Sequence, residues 1–177
     1  MRLRRATPAD LDAIVRLDAR VLAAHDVIPA EVFAGWRRAY PDAFRVLAEA
    51  GRVLGYVSVL PLGPEALAAF ERGAVDERAL GPGDVLGPVA ARGASTVYFF
   101  SVAREPDRPE VGPALVAAAR AWWSDRRRFP KLQRVIATAA TEAGRRVLVR
   151  LGFVEVMPAA ARRDGHALFE CRLPFFP

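Results

Sequence analysis

The chain has 177 residues, 53% hydrophobic and 26% charged, which suits one sizeable core and is short for two domains. Its formal net charge of +6 rests almost wholly on arginine, with Lys131 the only lysine, and reads either as solvated surface charge or as a match for a nucleic acid or phosphate-bearing cofactor. One cysteine, Cys171, and two distant histidines, His25 and His166, exclude an internal disulfide and argue against a metal site, and with no leader or membrane-length apolar run a soluble, cytoplasmic protein is expected.

A short strand is predicted from Leu3 in LRRA. TPADLDAIVRLDARVLAA then opens a helix. Thr7 is a suitable N-cap, Pro8 suits the first helical position, and Asp10 completes a capping-box-like T-x-x-D. Leu11, Ile14, Val15, Val21 and Leu22 supply its apolar face. PAEVFAGWRRAY predicts a second, shorter helix ending before Pro41. FRVLAEAGRVLGYVSVLPL reads as two strands around a turn near Gly51, rich in β-branched residues and closed by Pro61. PEALAAFERG is a short helix stopping at Gly73, and the Gly- and Pro-bearing stretch from Ala74 to Gly93 is a loop-rich excursion. STVYFFSVA is the strongest strand, an apolar run of the kind buried on both faces. A Pro-rich turn, REPDRPE, leads to a long helix, VGPALVAAARAWWSDRR, with Leu115, Ala118, Ala119 and Trp122 on one face. QRVIATA is a further strand. TEAGRRVLVRLGF is a helix capped by Thr141, with Ala143, Val147 and Leu151 as its buried stripe and Gly152 just past its end. FVEVMP and HALFECRLPF are two last strands. The order β-α-α-β-β-α-β-α-β-α-β-β predicts an α/β fold with a mixed sheet and helices on its faces, a single domain over residues 1–177.

Residues 95–127 place Gly112 at the head of a helix just after a buried strand. Backbone N–H groups there lack internal partners, the helix dipole favours anions, and Gly112 admits a ligand close to the chain. Arg104 and Arg108 add charge. Such a unit is either a phosphate cradle or an ordinary helix start, since Pro113 suits a first turn. WWSDRRRFPK could give a nucleic acid stacking and phosphate contacts. Helical spacing instead favours Trp122 in the core and the arginines as a charged helix end.

STVYFFSVAREPDRPEVGPALVAAARAWW resembles the acyl-CoA motif of the GNAT acyltransferase superfamily, a strand followed by [QR]-x-x-G-x-[GA] at a helix start. TEAGRRVLVRLGFVEV is similar to that family's last motif, N-x-x-A-x-x-x-Y-x-x-x-GF. LRRATPADLDAIVRLD and VLGYVSVLPL fit its front and middle, so the resemblance spans nearly the whole chain. It implies a mixed, mostly antiparallel sheet splayed between the fourth and fifth strands, with acetyl-CoA or another acyl-CoA in the gap. By position, Phe100, Ser101 and Val102 would meet the pantetheine arm. Pro109, Glu110, Val111, Gly112, Pro113, Ala114 and Leu115, with Arg108 beside them, would form the pyrophosphate loop. Thr141 and Leu148 would belong to the second wall. The implied reaction is direct transfer to an amine of a small molecule, peptide or protein: the amine attacks the thioester, a backbone N–H stabilises the oxyanion, and an acid protonates the thiolate.

Four positions depart from the family pattern. Pro109 replaces Gln or Arg and Pro113 removes a second amide donor. Thr141 replaces Asn, another good cap. Leu148 stands where a tyrosine acid is frequent. Ser101 and Tyr98, and more remotely His25 and Cys171, are the substitutes the sequence offers, each with an ordinary structural role as the alternative. The resemblance therefore implies an acetyl-CoA-dependent N-acetyltransferase, and Leu148 leaves open a GNAT-fold acyl-CoA-binding or regulatory protein with weak or no catalysis. No motif encodes the acceptor, and a homodimer through a sheet edge is compatible with the pattern.

Overall fold

In the computed structural model, which describes residues 1–173, a two-residue turn sets the first half of the sheet. Ala50 and Gly51 both have positive φ, 47° and 80°, the combination that matches a hairpin turn to the twist of its strands. They join β2 (Phe44–Glu49) to β3 (Arg52–Leu60). β1 (Arg2–Arg5) pairs antiparallel with β2, and β4 (Thr96–Arg104) antiparallel with β3. The other half contains β5 (Arg134–Ala139), β6 (Val154–Met157) and β7 (Ala167–Arg172). The order across the sheet is β1-β2-β3-β4-β5-β7-β6. Among the described residues, β4 and β5 form its parallel pair, as a helical crossover between them requires. Helices α1 (Leu11–Asp18), α2 (Ala30–Ala39), α3 (Pro64–Glu71), α4 (Pro88–Ala91), α5 (Val111–Trp123) and α6 (Glu142–Arg150) flank it. The mixed sheet and flanking helices are the architecture expected from the element order. Pro174 and Phe175, placed in the last predicted strand, lie outside the described residues. No described helix is long and apolar enough to cross a membrane.

Burial explains where the sequence pattern and the elements part. α1 buries Leu11, Ile14 and Leu17 but ends at Asp18 rather than Ala24. Val21 and Leu22 keep the helical period, yet they lie beyond the helix and line a cleft. β4 is buried on both faces only over Thr96–Phe99, and Phe100, Ser101 and Val102 are half-buried. On α6, Leu148 is buried together with the following Leu151, whereas Ala143 is exposed. The predicted stripe is therefore displaced from Ala143 to Leu148, because one flank of α6 faces open space. α5 ends at Trp123, earlier than predicted. Trp122 and Trp123 are both interior, so neither ring is available for stacking on a base.

Most buried side chains form one core, with Phe33, Trp36, Phe44, Tyr56 and Phe70 among its largest members. Truncating such an aromatic costs about 3–5 kcal/mol. A smaller cluster, Leu47, Leu54, Val111 and Leu115, lies under the head of α5. Gly55 permits that packing. A Cβ there would stand 2.7 Å from Leu115 Cδ1 and 2.8 Å from the Ala103 carbonyl oxygen. The bare backbone at Gly55 thus fixes how closely α5 approaches β3.

Candidate functional site

β4 and β5 pair from Thr96–Arg134 to Phe99–Ala137 and no further, although β4 runs on to Arg104 and β5 to Ala139. On its other side, β4 shifts register against β3, with Val59 opposite Phe99 and Ser58 opposite Ser101. Phe100 is the extra residue of this bulge, which adds local twist to the strand. A cleft of about 640 Å³ opens beyond the last β4–β5 pair. Ser101 to Arg104 form one side, and Gly112, Pro113, Leu115 and Val116 of α5 form another. Thr141, Gly144 and Val147 face them, and Asp18, Val21 and Leu22 close the end near α1. The Thr141 hydroxyl accepts the Gly144 N–H at 3.0 Å and fixes the head of α6. Gly152, with φ of 86°, lets the chain turn out of that helix.

The cleft carries positive charge on three elements, from Arg104 of β4, Arg120 of α5 and Arg150 of α6. Arg104 is anchored on the carbonyls of Glu105 and Pro106 at 2.7 and 2.9 Å. It passes close to Gly112, where a Cβ would lie 3.6 Å from its Cδ and Nε. Backbone donors at the head of α5 are scarce. The Val111 and Gly112 N–H groups donate to Arg108 and Pro109 at 3.1 and 3.3 Å, and prolines 109 and 113 have no N–H. An anion at this end therefore meets guanidinium groups more than amides.

Two polar groups flank this space, one at the cleft around the buried Asp18 and one, with Glu77 and Thr138 half-buried, at an adjoining recess. Asp18, one turn beyond Ile14 on the buried face of α1, is 1% exposed. The Tyr56 hydroxyl lies 2.6 and 2.8 Å from its two carboxylate oxygens and 2.9 Å from Ser101 Oγ. Burial pushes the Asp18 carboxyl up to about 7, against the pull of the Tyr56 hydrogen bond and with help from the charge of Glu77. Burial also holds the Tyr56 phenol well above its usual value, so Tyr56 stays neutral while Asp18 titrates. The second group is Glu77, Tyr98 and Thr138. Tyr98 donates to Glu77, and Thr138 Oγ1 lies 2.6 Å from Glu77 Oε1 and 2.8 Å from the Tyr98 oxygen. Burial raises both the Glu77 carboxyl and the Tyr98 hydroxyl. Glu77, Thr138 and His166 line a recess that joins the cleft along Ser101, Val102 and Gly144. His166 Nε2 is 3.5 Å from Asp26 Oδ1 at its edge.

No family model matches the sequence, and no curated protein matches it. Solved structures do, over nearly the whole chain. A GNAT-like decarboxylase, GphF, in complex with isobutyryl-CoA, is 15% identical with a TM-score of 0.70, covering 98% of this chain and 100% of that one. The loading GNATL domain of CurA from Lyngbya majuscula is 12% identical with a TM-score of 0.70, covering 97% and 96%. A ribosomal-protein-alanine N-acetyltransferase from Brucella melitensis is 18% identical with a TM-score of 0.61, covering 98% and 100%. The chain has the GNAT fold. The divergence of β4 from β5 is the splay that the GNAT resemblance implies.

The residues matched to GNAT motifs divide into three groups. Ser101, Val102, Gly112, Pro113, Leu115 and Thr141 line the cleft. Phe100 and Leu148 line the recess. Arg108, Pro109, Glu110, Val111 and Ala114 line neither. Arg108 turns to Glu110 and Glu49, and Val111 is buried beneath the helix head. Tyr98 lines neither cavity and meets the recess through Glu77 and Thr138. The His25 side chain is 80% exposed and Cys171 is buried on β7 opposite Val135; neither borders the cleft. Sequence reasoning does not single out Asp18, Tyr56, Glu77 or Thr138. For Asp18 a signal exists, a carboxylate on the apolar face of an amphipathic helix. Glu77 lies in a stretch without periodicity and has none.

Proposed function

We propose that the protein is an acyl-CoA-dependent N-acyltransferase that moves an acetyl group from acetyl-CoA to an amine of a small molecule, peptide or protein. The observation that carries this reading is the cleft at the β4–β5 divergence, an open slot beside a strand edge with arginines at its rim. The phosphates of the co-substrate would meet Arg104, Arg120 and Arg150. The pantetheine arm would run along Ser101 and Val102, and the thioester would lie near Ser101. The acceptor nitrogen would approach from the side of Asp18 and Leu22. Its lone pair forms the new C–N bond, the C–S bond breaks, and the thiolate leaves. A cytoplasmic setting goes with this reading. The test is calorimetric titration with acetyl-CoA, followed by thiol release across a panel of primary amines. One-to-one binding with Kd in the range of about 1–100 μM is expected. No heat and no thermal shift at millimolar ligand would overturn the proposal.

A second reading is decarboxylation of a carboxyacyl-CoA. It is favoured by the TM-score of 0.70 to the GNAT-like decarboxylase GphF and by Leu148, which offers no proton to a leaving thiolate. Decarboxylation leaves the C–S bond intact. Release of CO2 from malonyl-CoA without free thiol would select it, and binding with neither product would select a regulatory acyl-CoA-binding role.

A further inference from the structure

Acyl transfer, on whose assignment this inference rests, removes one proton from the attacking nitrogen and delivers one to the departing sulfur. Leu148 can do neither. Three oxygen-bearing side chains stand in a row from the α1 end of the cleft to its β4 side. Asp18 and Ser101 both border the open space, and Tyr56, with no exposed surface, lies between them. We infer that Asp18, Tyr56 and Ser101 form a proton chain joining the acceptor amine to the thioester sulfur, in place of an acid on α6.

The hydrogen-bond geometry permits both directions of the chain. The Tyr56 hydroxyl has a single proton, with Asp18 oxygens at 2.6 and 2.8 Å on one side and Ser101 Oγ at 2.9 Å on the other. While Asp18 is charged, Tyr56 donates to it and Ser101 donates to Tyr56. Once Asp18 has taken the amine proton, the row turns over: Asp18 donates to Tyr56, Tyr56 to Ser101, and Ser101 to the thiolate. The nitrogen has lost one proton, the sulfur has gained one, and the three side chains are back where they began. No oxidant or further reactant is needed. Burial raises the Asp18 carboxyl to about 7, which suits a group that must accept and return a proton near neutrality. The groups facing it are Tyr56 from β3, Ser101 beyond Tyr56 on β4, and Glu77 from the segment after α3. The Glu77–Tyr98–Thr138 group is no rival chain, because its three members bond to one another in a closed ring. Asp18 and Ser101 are catalytic residues in this scheme, and Tyr56 acts through them.

Two measurements decide it. In acetyl transfer to benzylamine, spermidine and an N-terminal alanine peptide, Ser101→Ala and Tyr56→Phe should each lower kcat about 10- to 100-fold with the acetyl-CoA KM within about twofold. Ser101→Thr should restore most of the rate, and Asp18→Asn should abolish the rise of kcat with pH near 7. In the ligand-free protein, carboxyl NMR should show the Asp18 midpoint moving upward in Tyr56→Phe, since the lost bond favours the charged form. An unchanged midpoint, or thiol release unaffected by Ser101→Ala, would overturn the chain alone. Absence of thiol release from the wild type would overturn the acyl-transfer reading and the chain with it.

Discussion

A carboxyl group on the buried face of an amphipathic helix works against folding whenever it is charged. Asp18 holds its proton up to about pH 7 in the folded protein, whereas an unfolded aspartate releases it near about pH 3.9. Between those values the folded chain binds more protons than the unfolded one. The contribution of Asp18 to stability is therefore fully present below about pH 4 and is lost as pH rises towards 7, by on the order of a few kcal/mol. Asp18→Asn keeps an acceptor for Tyr56 and removes the charge. Its urea midpoint should match the wild type at pH 4 and exceed it at pH 8. Equal midpoints at pH 8 would mean that burial does not penalise the charged form of Asp18. A gain in stability with a loss of turnover is the mark of a side chain kept for function. Such residues are poorly legible in a sequence. Asp18, Tyr56 and Ser101 lie 38 and 45 residues apart along the chain, and only the sheet brings them together.

The helices that frame the cleft are placed by small residues and caps, and their positions can be tested at Gly55, outside the cleft, and at Thr141, on its wall. At Gly55 an added methyl would meet Leu115 Cδ1 and the Ala103 carbonyl. The backbone contact cannot yield, so α5 must move. Gly55→Ala should cost about 1–3 kcal/mol and weaken acetyl-CoA binding by about three- to tenfold, because Gly112 and Leu115 move with the helix. Calorimetry beside a denaturation curve separates the two effects. Thr141→Ala should cost about 1 kcal/mol through loss of the cap on Gly144. Elements of this kind were largely legible. The Thr141 cap, the Gly152 exit, the Gly51 turn and the stripe of α5 follow from local chemistry. What failed was the assumption that every apolar position on a helical period faces the core. Val21, Leu22 and Ala143 fit the period but line the cleft, and periodicity does not distinguish a ligand slot from an interior. The bulge at Phe100 was equally hidden, because it depends on the register of β4 against β3.

Across the whole molecule, the net charge of +6 admitted both a surface reading and a ligand reading, and its distribution bears on the choice. Many arginines are tied to carboxylates, such as Arg4 to Asp10, Arg128 to Asp42, Arg134 to Glu170 and Arg162 to Asp164. Arg104, by contrast, donates its hydrogen bonds to carbonyl oxygens, and it shares the cleft with Arg120 and Arg150. Three cations from separate elements around one slot favour a ligand with several negative charges at one end. Attraction of this kind weakens with ionic strength when the charges are partly exposed. Raising salt from 50 to 500 mM should therefore weaken acetyl-CoA binding by about tenfold, or roughly 1.4 kcal/mol. Acetyl-pantetheine, which lacks the phosphates, should bind more weakly at low salt and hardly respond. Arg104→Ala with Arg150→Ala should flatten the salt dependence for acetyl-CoA and leave acetyl-pantetheine unchanged. Equal salt slopes for the two ligands would move the phosphates away from this rim and assign the arginines to the solvated surface.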